Sequence, residues 1–377
     1  MSTHDPIAIV GAGLGGLALA RILHVNGIPA TVYERDTSPE VRTQGGMLDI
    51  HHDSGQVALR AAGLHDEFRA IIHPGGEAVR VLDQHAVVRF KAEDDGEGGR
   101  PEVERGRLRD LLLGSLPPGT VRWGAGVTGA RSLVDGRHEV TLADGSATTT
   151  DLLIGADGAW SKVRPLLTDA VPEYTGITVV EADLLDADER HPGSAALLGG
   201  GMFFALGEGK GLLAHREPDG SLHVAITLPT PEDWAAGIDF ADTGSAKTAV
   251  LEHFAGWDPR LRALVTDADG RLVPRGIHAL PVGHRWDRVP GVTLLGDAAH
   301  VMPPFAGEGA NIALADAADL GTAIAAHPGD TEAALAAYEQ TMFPRGATAA
   351  AESAAGIVLC FGEDAPQSLV DMFTGTD

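Results

Sequence analysis

The chain has 377 residues, enough for two domains or for one large domain with an insertion. It carries 28 Lys and Arg against 53 Asp and Glu, and the resulting net charge of −25 argues against nucleic-acid and membrane-surface partners. Hydrophobic residues make up 44% of the chain and charged residues 21%, as in globular proteins, which excludes a wholly disordered chain.

The N-terminal 34 residues have the pattern of a strand, a glycine-rich turn, a helix and a second strand. The apolar run Ile7–Val10 is too short for a helix, whereas Leu17–Asn26 is rich in Ala and Leu and is followed by Gly27. Thr31–Tyr33 is a β-branched and aromatic run that precedes Glu34. This order predicts a βαβ unit.

The turn of this unit carries the spacing of a dinucleotide-binding site. Gly11, Gly13 and Gly16 stand in GxGxxG register. The first glycine allows a tight turn, the second lets the backbone approach a pyrophosphate, and the third lets the helix pack on the strand. Glu34 ends the second strand, where an acidic side chain receives ribose hydroxyls. The combination favours dinucleotide binding over a chance glycine-rich turn.

The middle of the chain changes to antiparallel patterns. Residues 137–146 alternate between polar and apolar side chains and have an Asp-Gly turn at either end, which is typical of a β-meander. Residues 174–275 contain further alternating runs, such as Ser221–Leu228, and predict a second domain built around a sheet.

Two apolar strands outside that region end in aspartate corners. Leu152–Ile154 leads into Asp157-Gly158, and Val292–Leu295 leads into Gly296-Asp297. Runs without polar alternation predict a parallel sheet covered on both faces. A carboxylate at the C-terminal end of such a strand lies where open α/β sheets bind ligands, so Asp297 can receive a ribityl or ribose hydroxyl. Either corner alone could be an ordinary aspartate turn.

The C-terminal third is predicted to be helical. The amides of Gly307-Glu308-Gly309 open a helix and could face the edge of a flavin ring. Residues 331–361 are Ala-rich and predict a helix that is interrupted or kinked near Pro344.

Cysteine and histidine usage narrows the compartment and the chemistry. The single cysteine, Cys360, cannot form an internal disulfide, which favours a reducing cytoplasm. No apolar run approaches the roughly 18 residues that span a membrane. The histidines form no HExxH pattern. We therefore expect a cytoplasmic protein with a small-molecule partner, no membrane partner and no metal.

The three glycine-and-aspartate corners resemble those of the single-component, FAD-dependent aromatic hydroxylases. These are the class A flavoprotein monooxygenases, typified by para-hydroxybenzoate hydroxylase, and the likeness covers essentially the whole chain. Within the class the sequence is most similar to the tetracycline-inactivating monooxygenases. That likeness rests on Val32–Asp36, Gly45–His51, Ser54–Gln56, Pro101–Arg105, Thr230–Trp234 and Gly296–Gly307.

The resemblance implies an α/β fold with a discontinuous Rossmann-like FAD-binding domain. That domain would comprise residues 1–72, 100–173 and 275–330. A β-sheet substrate domain would comprise residues 73–99 and 174–274, and residues 331–377 would form a C-terminal bridging helix. We expect a monomer.

The resemblance also assigns roles around the cofactor. Glu34 and Arg35 would hold the adenosine end, Arg105 the pyrophosphate or ribityl chain, and Asp49 would lie near the isoalloxazine. Arg42 would attract the NADPH phosphate, although a solvated surface arginine is an alternative reading. The full set of FAD-binding candidates is Gly11, Gly13, Leu14, Gly16, Glu34, Arg35, Asp49, Arg105, Asp157, Asp297, Pro304, Gly307 and Asn311.

The substrate side departs from the tetracycline-inactivating pattern. Those enzymes present a Gln, an Arg and a His, whereas this chain has Glu181, Met202 and His223. Met in place of Arg removes five hydrogen-bond donors and a positive charge, and Glu in place of Gln adds a carboxylate. Both changes disfavour an anionic enolate, so we expect a phenolic, polycyclic or apolar molecule instead. Phe203 and Phe305 complete the substrate candidates. For Phe203 core packing is the alternative, and for His223 a structural role in the sheet.

The reaction follows from the same resemblance. NADPH or NADH would reduce FAD transiently, and O2 would then give a flavin C4a-hydroperoxide that delivers one oxygen atom to an aromatic or polycyclic substrate, such as a polyketide or a tetracycline-like molecule. A non-catalytic flavin- or drug-binding protein and an oxygen-independent reductase of isoprenoid double bonds remain alternatives. A flavin-dependent halogenase is disfavoured because the chain has no Trp-x-Trp motif.

Overall fold

A computed structural model describes residues 3–41, 46–94 and 100–375. Within these residues the strands are β1 Thr3–Val10, β2 Thr31–Tyr33, β3 Met47–Asp49, β4 Val79–Asp83, β5 Val88–Ala92, β6 Glu102–Glu104, β7 Val121–Arg122, β8 Val127–Ser132, β9 His138–Leu142, β10 Ala147–Gly155, β11 Glu173–Leu184, β12 Met202–Gly207, β13 Lys210–Arg216, β14 Leu222–Pro229, β15 Asp269–Ala279 and β16 Val292–Leu294. The α-helices are α1 Leu14–Val25, α2 Gly55–Ala61, α3 His65–Arg69, α4 Arg105–Gly114, α5 Ala187–Arg190, α6 Pro192–Leu198, α7 Thr243–Glu252, α8 Pro259–Thr266, α9 Asp297–His300, α10 Glu308–Ala326, α11 Thr331–Phe361 and α12 Gln367–Thr374.

The chain divides into two compact units. The first comprises residues 1–72, 105–173 and 278–353, and the second comprises residues 73–104, 174–277 and 354–377. The boundaries expected at residues 100 and 275 thus fall at 105 and 278. Residues 331–377 do not form an element of their own, because α11 belongs to the first unit up to Ser353 and to the second unit beyond it.

The first unit is built on a mainly parallel sheet with strand order β7-β2-β1-β10-β9-β8, and β16 lies beside β10. Strands β2, β1, β10 and β16 run parallel, as their unalternated apolar sequences predicted. Strands β8, β9 and β10 pair antiparallel, which confirms the meander expected around residues 137–146. Helices α1 and α10 pack against each other. A side chain at Gly15 would collide with Leu295 and Ala313, which explains the glycine there.

Helix α11 runs unbroken through Pro344, so the expected interruption is absent, while the alternative of a kink stays a prediction. Two buried contacts hold the helix on either side of the proline. Tyr338 Oη donates to the Leu294 carbonyl at 2.8 Å, and Arg345 Nη2 donates to Asp316 Oδ1 at 2.8 Å. Such tertiary contacts offset the one backbone hydrogen bond that proline removes from a helix.

The second unit is built on a seven-stranded sheet with strand order β15-β11-β14-β13-β12-β4-β5. Neighbours from β11 to β12 pair antiparallel, whereas β12 pairs parallel with β4. One face carries the main apolar core, to which Val180, Phe203, Leu212 and Val224 contribute. On the opposite face a smaller cluster includes Leu369. Along the described ranges, no helix is both long enough and apolar enough to cross a membrane.

Candidate cofactor and substrate sites

The three predicted corners lie side by side at one edge of the parallel sheet. Val10 is in register with Gly155, and Gly155 with Leu294, so β1, β10 and β16 end at the same level. The Ala156 amide donates to the Val10 carbonyl at 2.8 Å, and the Leu295 amide donates to the Gly155 carbonyl at 2.9 Å. These hydrogen bonds carry the pairing past the strand ends. The carboxyl ends of parallel strands form the usual ligand edge of an open α/β sheet.

The GxGxxG turn has the three glycine environments that a pyrophosphate-binding loop requires. Gly11 has φ +105°, a backbone conformation that favours glycine. A methyl group on Gly16 would lie well inside 3.0 Å of the Gly11 carbonyl oxygen, so this glycine allows α1 to pack on β1. Gly13 is exposed, and a methyl group there would meet no described atom within 4 Å. The open side of the turn is therefore at Gly13, where α1 begins without a side-chain cap.

Glu34 is tied to this turn by backbone amides. Its Oε2 accepts a hydrogen bond from the Ala12 amide at 2.7 Å, and its Oε1 accepts one from the Asp36 amide at 3.0 Å. A carboxylate has about four acceptor positions, so two remain for hydroxyl groups. Arg35, the other adenosine candidate, has a largely exposed side chain.

An arginine that the sequence analysis missed lies against the same turn. Arg109 in α4 is buried, and its guanidinium donates to the Ala12 carbonyl at 3.4 Å and to the Pro39 carbonyl at 3.3 Å. It also lies 5.5 Å from the centre of the Trp123 ring. Arg105, the predicted residue, is the first residue of α4, one helical turn earlier. The i, i+4 spacing of the two arginines was the available signal.

The second corner is organised around Asp157. Its Oδ2 accepts from the Lys162 amide at 2.6 Å, while its Oδ1 is buried without a hydrogen-bond partner among the described residues. Burial raises the pKa of Asp157. Arg164 joins this corner to the third one, because it donates to the carbonyls of Ala159 at 2.6 Å and of Ala298 at 2.9 Å.

The third corner presents an exposed carboxylate. Asp297 is exposed at the first position of α9, and within the described part of the chain its side chain makes no hydrogen bond. It follows Gly296, whose φ of +59° and ψ of −143° place the backbone in a region that glycine favours. An exposed acceptor at a strand end suits a polyhydroxyl chain.

The start of α10 is linked to the segment after β3 through one buried amide side chain. Asn311 is fully buried, its Nδ2 donates to the Asp49 carbonyl at 2.8 Å, and its Oδ1 accepts from the His51 amide at 2.9 Å. The Asp49 carboxylate lies 2.8 Å from His51 Nε2. Gly307 has φ +68°, and a methyl group there would lie 3.2 Å from Asp49. The predicted residues Asp49, Gly307 and Asn311 are thus brought together.

The remaining predictions around the cofactor are placed as follows. Leu14 is buried in the first turn of α1, Pro304 is exposed in a 3-10 turn before α10, and Phe305 follows it, half-buried. Arg42, the predicted NADPH contact, lies outside the described residues. In the described ranges, no group of three or more His, Cys, Asp or Glu is arranged to hold a metal ion.

The residues of the first unit fit a flavin dinucleotide. The site offers an uncapped helix N-terminus beside a glycine with open space, which suits a pyrophosphate. It also offers the exposed carboxylate of Asp297 and the unpartnered Oδ1 of Asp157, which suit hydroxyl or N–H donors. A partly satisfied acceptor, Glu34, lies at the position expected for ribose.

Three of the predicted substrate residues of the second unit, Glu181, Met202 and His223, lie on one face of its sheet, opposite the main core. His215, His223 and Asp183 pair across the sheet in one row. Met202 precedes Phe203, which pairs with Ala214, so its register position continues this row beside His215. The next row contains Phe204, Leu213, Ala225 and Glu181. This face therefore combines an apolar strip with a polar edge.

Phe203 does not share that face, which corrects its assignment as a substrate residue. It is fully buried in the main core, and its neighbour Phe204 takes the face instead. Side chains alternate along a strand, so only one of two adjacent phenylalanines can lie on a given side. His215 lies between Met202 and His223 in the row and was missed by the sequence analysis. The available signal was its spacing of two residues from Leu213, which puts both side chains on the same face of the strand.

Charges on this face are largely paired. Glu181 Oε1 lies 2.8 Å from Arg275 Nε, His223 Nδ1 lies 2.7 Å from Asp183 Oδ1, and His215 Nε2 lies 2.9 Å from Glu217 Oε1. Burial alone would lower the pKa of His223, but the hydrogen bond and charge of Asp183 raise it. The pair with Asp183 therefore favours the protonated form of His223, which donates hydrogen bonds.

Comparison with known proteins gives the family. The family model described as FAD binding domain matches residues 5–353. Monooxygenase asqM from Emericella nidulans is 31% identical over 95% of this chain and 96% of its own length. The FAD-dependent urate hydroxylase of Mycolicibacterium vanbaalenii is 30% identical over 90% of this chain and 85% of its own length.

Two crystal structures show the shared fold. Klebsiella pneumoniae HpxO complexed with FAD and uric acid superposes with a TM-score of 0.80 at 24% identity, covering 99% of this chain and 92% of that one. Tetracycline destructase Tet(51) superposes with a TM-score of 0.73 at 18% identity, covering 100% of this chain and 96% of that one. The three corners fit a flavin, and the family model and the relatives match most of the chain. The chain therefore belongs to the FAD-binding-domain family and is a class A FAD-dependent monooxygenase.

Proposed function

We propose that this enzyme uses NADPH or NADH and O2 to hydroxylate, or to insert oxygen into, an aromatic or polycyclic small molecule. The observation that carries the proposal is the face of the second unit on which a half-buried apolar strip, Phe204, Leu213 and Ala225, runs beside the polar row of His215, His223 and Asp183. Phe204 and Leu213 also pack against the Leu369 cluster, so the strip is covered at that end and half-buried toward Ala225. A flat ring system with one polar edge matches such a surface. The relative named as a urate hydroxylase supports a small aromatic substrate.

The proposed roles in the first unit follow from its three corners. The amides at Gly13 would receive the FAD pyrophosphate, Glu34 the ribose hydroxyls and Asp297 the ribityl hydroxyls. Arg109 would hold the shape of the turn through the Ala12 carbonyl, and Arg105 would add positive charge near the phosphates. When bound, FAD supplies hydride acceptance from the nicotinamide and activation of O2.

The proposed role of the second unit is to orient the substrate. His223, held by Asp183, would donate a hydrogen bond to an oxygen or nitrogen at the polar edge of the substrate. Met202 and Phe204 would contact the ring. Glu181 is paired with Arg275, so it adds less negative charge to the face than the sequence alone suggested.

Oxygen uptake and NADPH consumption by the FAD-loaded protein test the proposal. The compounds to screen are phenolic polyketides, tetracyclines and simple hydroxybenzoates. We expect at least one aromatic compound to raise both rates together and to gain one oxygen atom by mass spectrometry. Substrate-dependent NADPH consumption under anaerobic conditions with a reduced product would instead support a reductase. Tight binding without turnover would support a binding protein.

Tetracycline turnover tests the substrate face separately. The double variant Met202→Arg with Glu181→Gln restores the side-chain types of the tetracycline-inactivating enzymes. We expect it to turn over tetracycline faster than the parent enzyme, because a cation and an amide replace an apolar group and a carboxylate. Unchanged or slower turnover would count against this assignment of the face.

A further inference from the structure

A buried carboxylate holds the Gly296–Asp297 corner, and the cofactor roles proposed above do not use it. Asp316 in α10 is fully buried. Its Oδ2 accepts a hydrogen bond from the Gly296 amide at 2.8 Å and lies 2.6 Å from His300 Nε2. Its Oδ1 accepts from Arg345 Nη2 at 2.8 Å. Both oxygens are therefore partnered, as a buried charge requires.

The hydrogen bond to Gly296 acts on the peptide that aims Asp297. Gly296 has φ +59° and ψ −143°, a conformation that other residues rarely adopt, so its orientation depends on the surrounding contacts. The next residue, Asp297, begins α9, and its carboxylate is exposed. Losing the Asp316 acceptor would remove one of the contacts that fix this backbone, and with it part of the restraint on the direction of the Asp297 carboxylate.

The charged groups around His300 favour the ionic form of the His300–Asp316 pair. Asp316 faces it from α10, Arg345 from α11, Asp297 from its own helix, and His284 from the segment before β16. Burial alone would lower the pKa of His300, but the charge and hydrogen bond of Asp316 raise it. Burial likewise opposes the ionised form of Asp316, yet His300 and Arg345 lower its pKa.

We infer that Asp316 is a positioning residue for FAD: it fixes the Gly296 peptide and thereby directs the Asp297 carboxylate to the cofactor. His300 holds Asp316 in place through the contact between Nε2 and Oδ2. The inference rests on the proposed contact between Asp297 and FAD. Because Asp316 is buried and 19 positions along the chain from Asp297, it acts only through the backbone of the corner.

A double-mutant cycle on FAD affinity tests the inference. The dissociation constant of FAD is measured by flavin fluorescence for the parent enzyme, Asp297→Asn, Asp316→Asn and the double variant. Asp319→Asn is the control. Asp319 Oδ2 accepts a hydrogen bond from Arg345 Nη1 at 2.6 Å, so this substitution changes a partner of the same arginine without touching Gly296.

We expect Asp297→Asn and Asp316→Asn each to weaken FAD binding about tenfold or more, and the double variant to bind no more weakly than Asp316→Asn alone. The control Asp319→Asn should stay within about twofold of the parent enzyme. A general loss of stability would not produce this non-additivity, because it would not depend on Asp297.

Two results would overturn the inference, and they are distinguishable. Additive effects, or an Asp316→Asn affinity equal to that of the control, would refute the role of Asp316 and leave the Asp297 contact standing. No effect of Asp297→Asn would refute the proposed Asp297 contact and the inference with it. If Asp316→Asn does not fold, as judged by circular dichroism, the cycle is run with Asp316→Glu, which keeps a carboxylate for His300 and Arg345 but displaces it from the Gly296 amide by one methylene group, and the same outcomes apply.

Discussion

Replacing single glycines of the GxGxxG turn with alanine separates the folding role of the turn from its binding role. At Gly13 the backbone has φ −77° and ψ −180°, which alanine adopts without strain, and a methyl group meets no described atom within 4 Å. At Gly16 the methyl group would lie well inside 3.0 Å of the Gly11 carbonyl oxygen, so the backbone must move.

The magnitudes differ accordingly. Gly13→Ala changes only an N-cap residue, and we expect it to cost about 0.5–1 kcal/mol of stability. Gly16→Ala overpacks a buried contact between α1 and the turn, and we expect a cost of about 1–3 kcal/mol or more. At about 2–4 °C per kcal/mol, Gly16→Ala should unfold several degrees below Gly13→Ala.

Gly13→Ala should have a large effect on FAD binding although its effect on stability is small. The added methyl group would occupy the space through which the pyrophosphate approaches, so we expect FAD affinity to fall at least about tenfold in a protein that is otherwise nearly as stable as the parent. Thermal unfolding without FAD and an FAD titration by flavin fluorescence measure the two quantities. Parent-like FAD affinity in Gly13→Ala would refute the placement of the pyrophosphate, and a Gly16→Ala protein as stable as Gly13→Ala would refute the packing argument.

Three further predictions concern the second unit. Glu181→Gln frees Arg275, so we expect a carboxylate ligand such as 4-hydroxybenzoate to bind about two- to fivefold more tightly at low salt but not at 1 M salt; an unchanged affinity at low salt would contradict the pairing. Asp183→Asn removes the carboxylate that raises the pKa of His223, so this histidine should lose its proton at lower pH in an NMR titration, and an unchanged or higher pKa would argue against the pair. Burial raises the pKa of the Cys360 thiol to about 11, so at pH 8 a thiol reagent should modify it more than about 100-fold more slowly in the folded than in the urea-unfolded protein; similar rates would show that the thiol is accessible.

The cofactor edge could be predicted closely from the sequence because its signals are local. Unalternated apolar runs predict buried parallel strands, and the carboxyl ends of such strands meet at one edge of a sheet. It was therefore enough to recognise Gly11, Asp157 and Asp297 after three such runs to place them together. The register between β1, β10 and β16 confirms that they end at the same level.

The substrate face was predicted less well because its local pattern is ambiguous. The segment Met202–Ala205 is apolar at every position, so alternation does not show which of Phe203 and Phe204 faces the core. The pairing with β13 and β14 decides this, and it also brings His215 into the row between Met202 and His223.

Sequence by itself determined the kinds of element, the glycine turn and the acidic residues at or just after the strand ends, since each depends on neighbours a few residues away. Only the tertiary structure decided which charges are paired. Asp316 meets Gly296 and Arg345, 20 and 29 positions away, and Arg109 meets Ala12 across 97 positions. Such partners are chosen by how helices pack on the sheet, and no local periodicity encodes that packing.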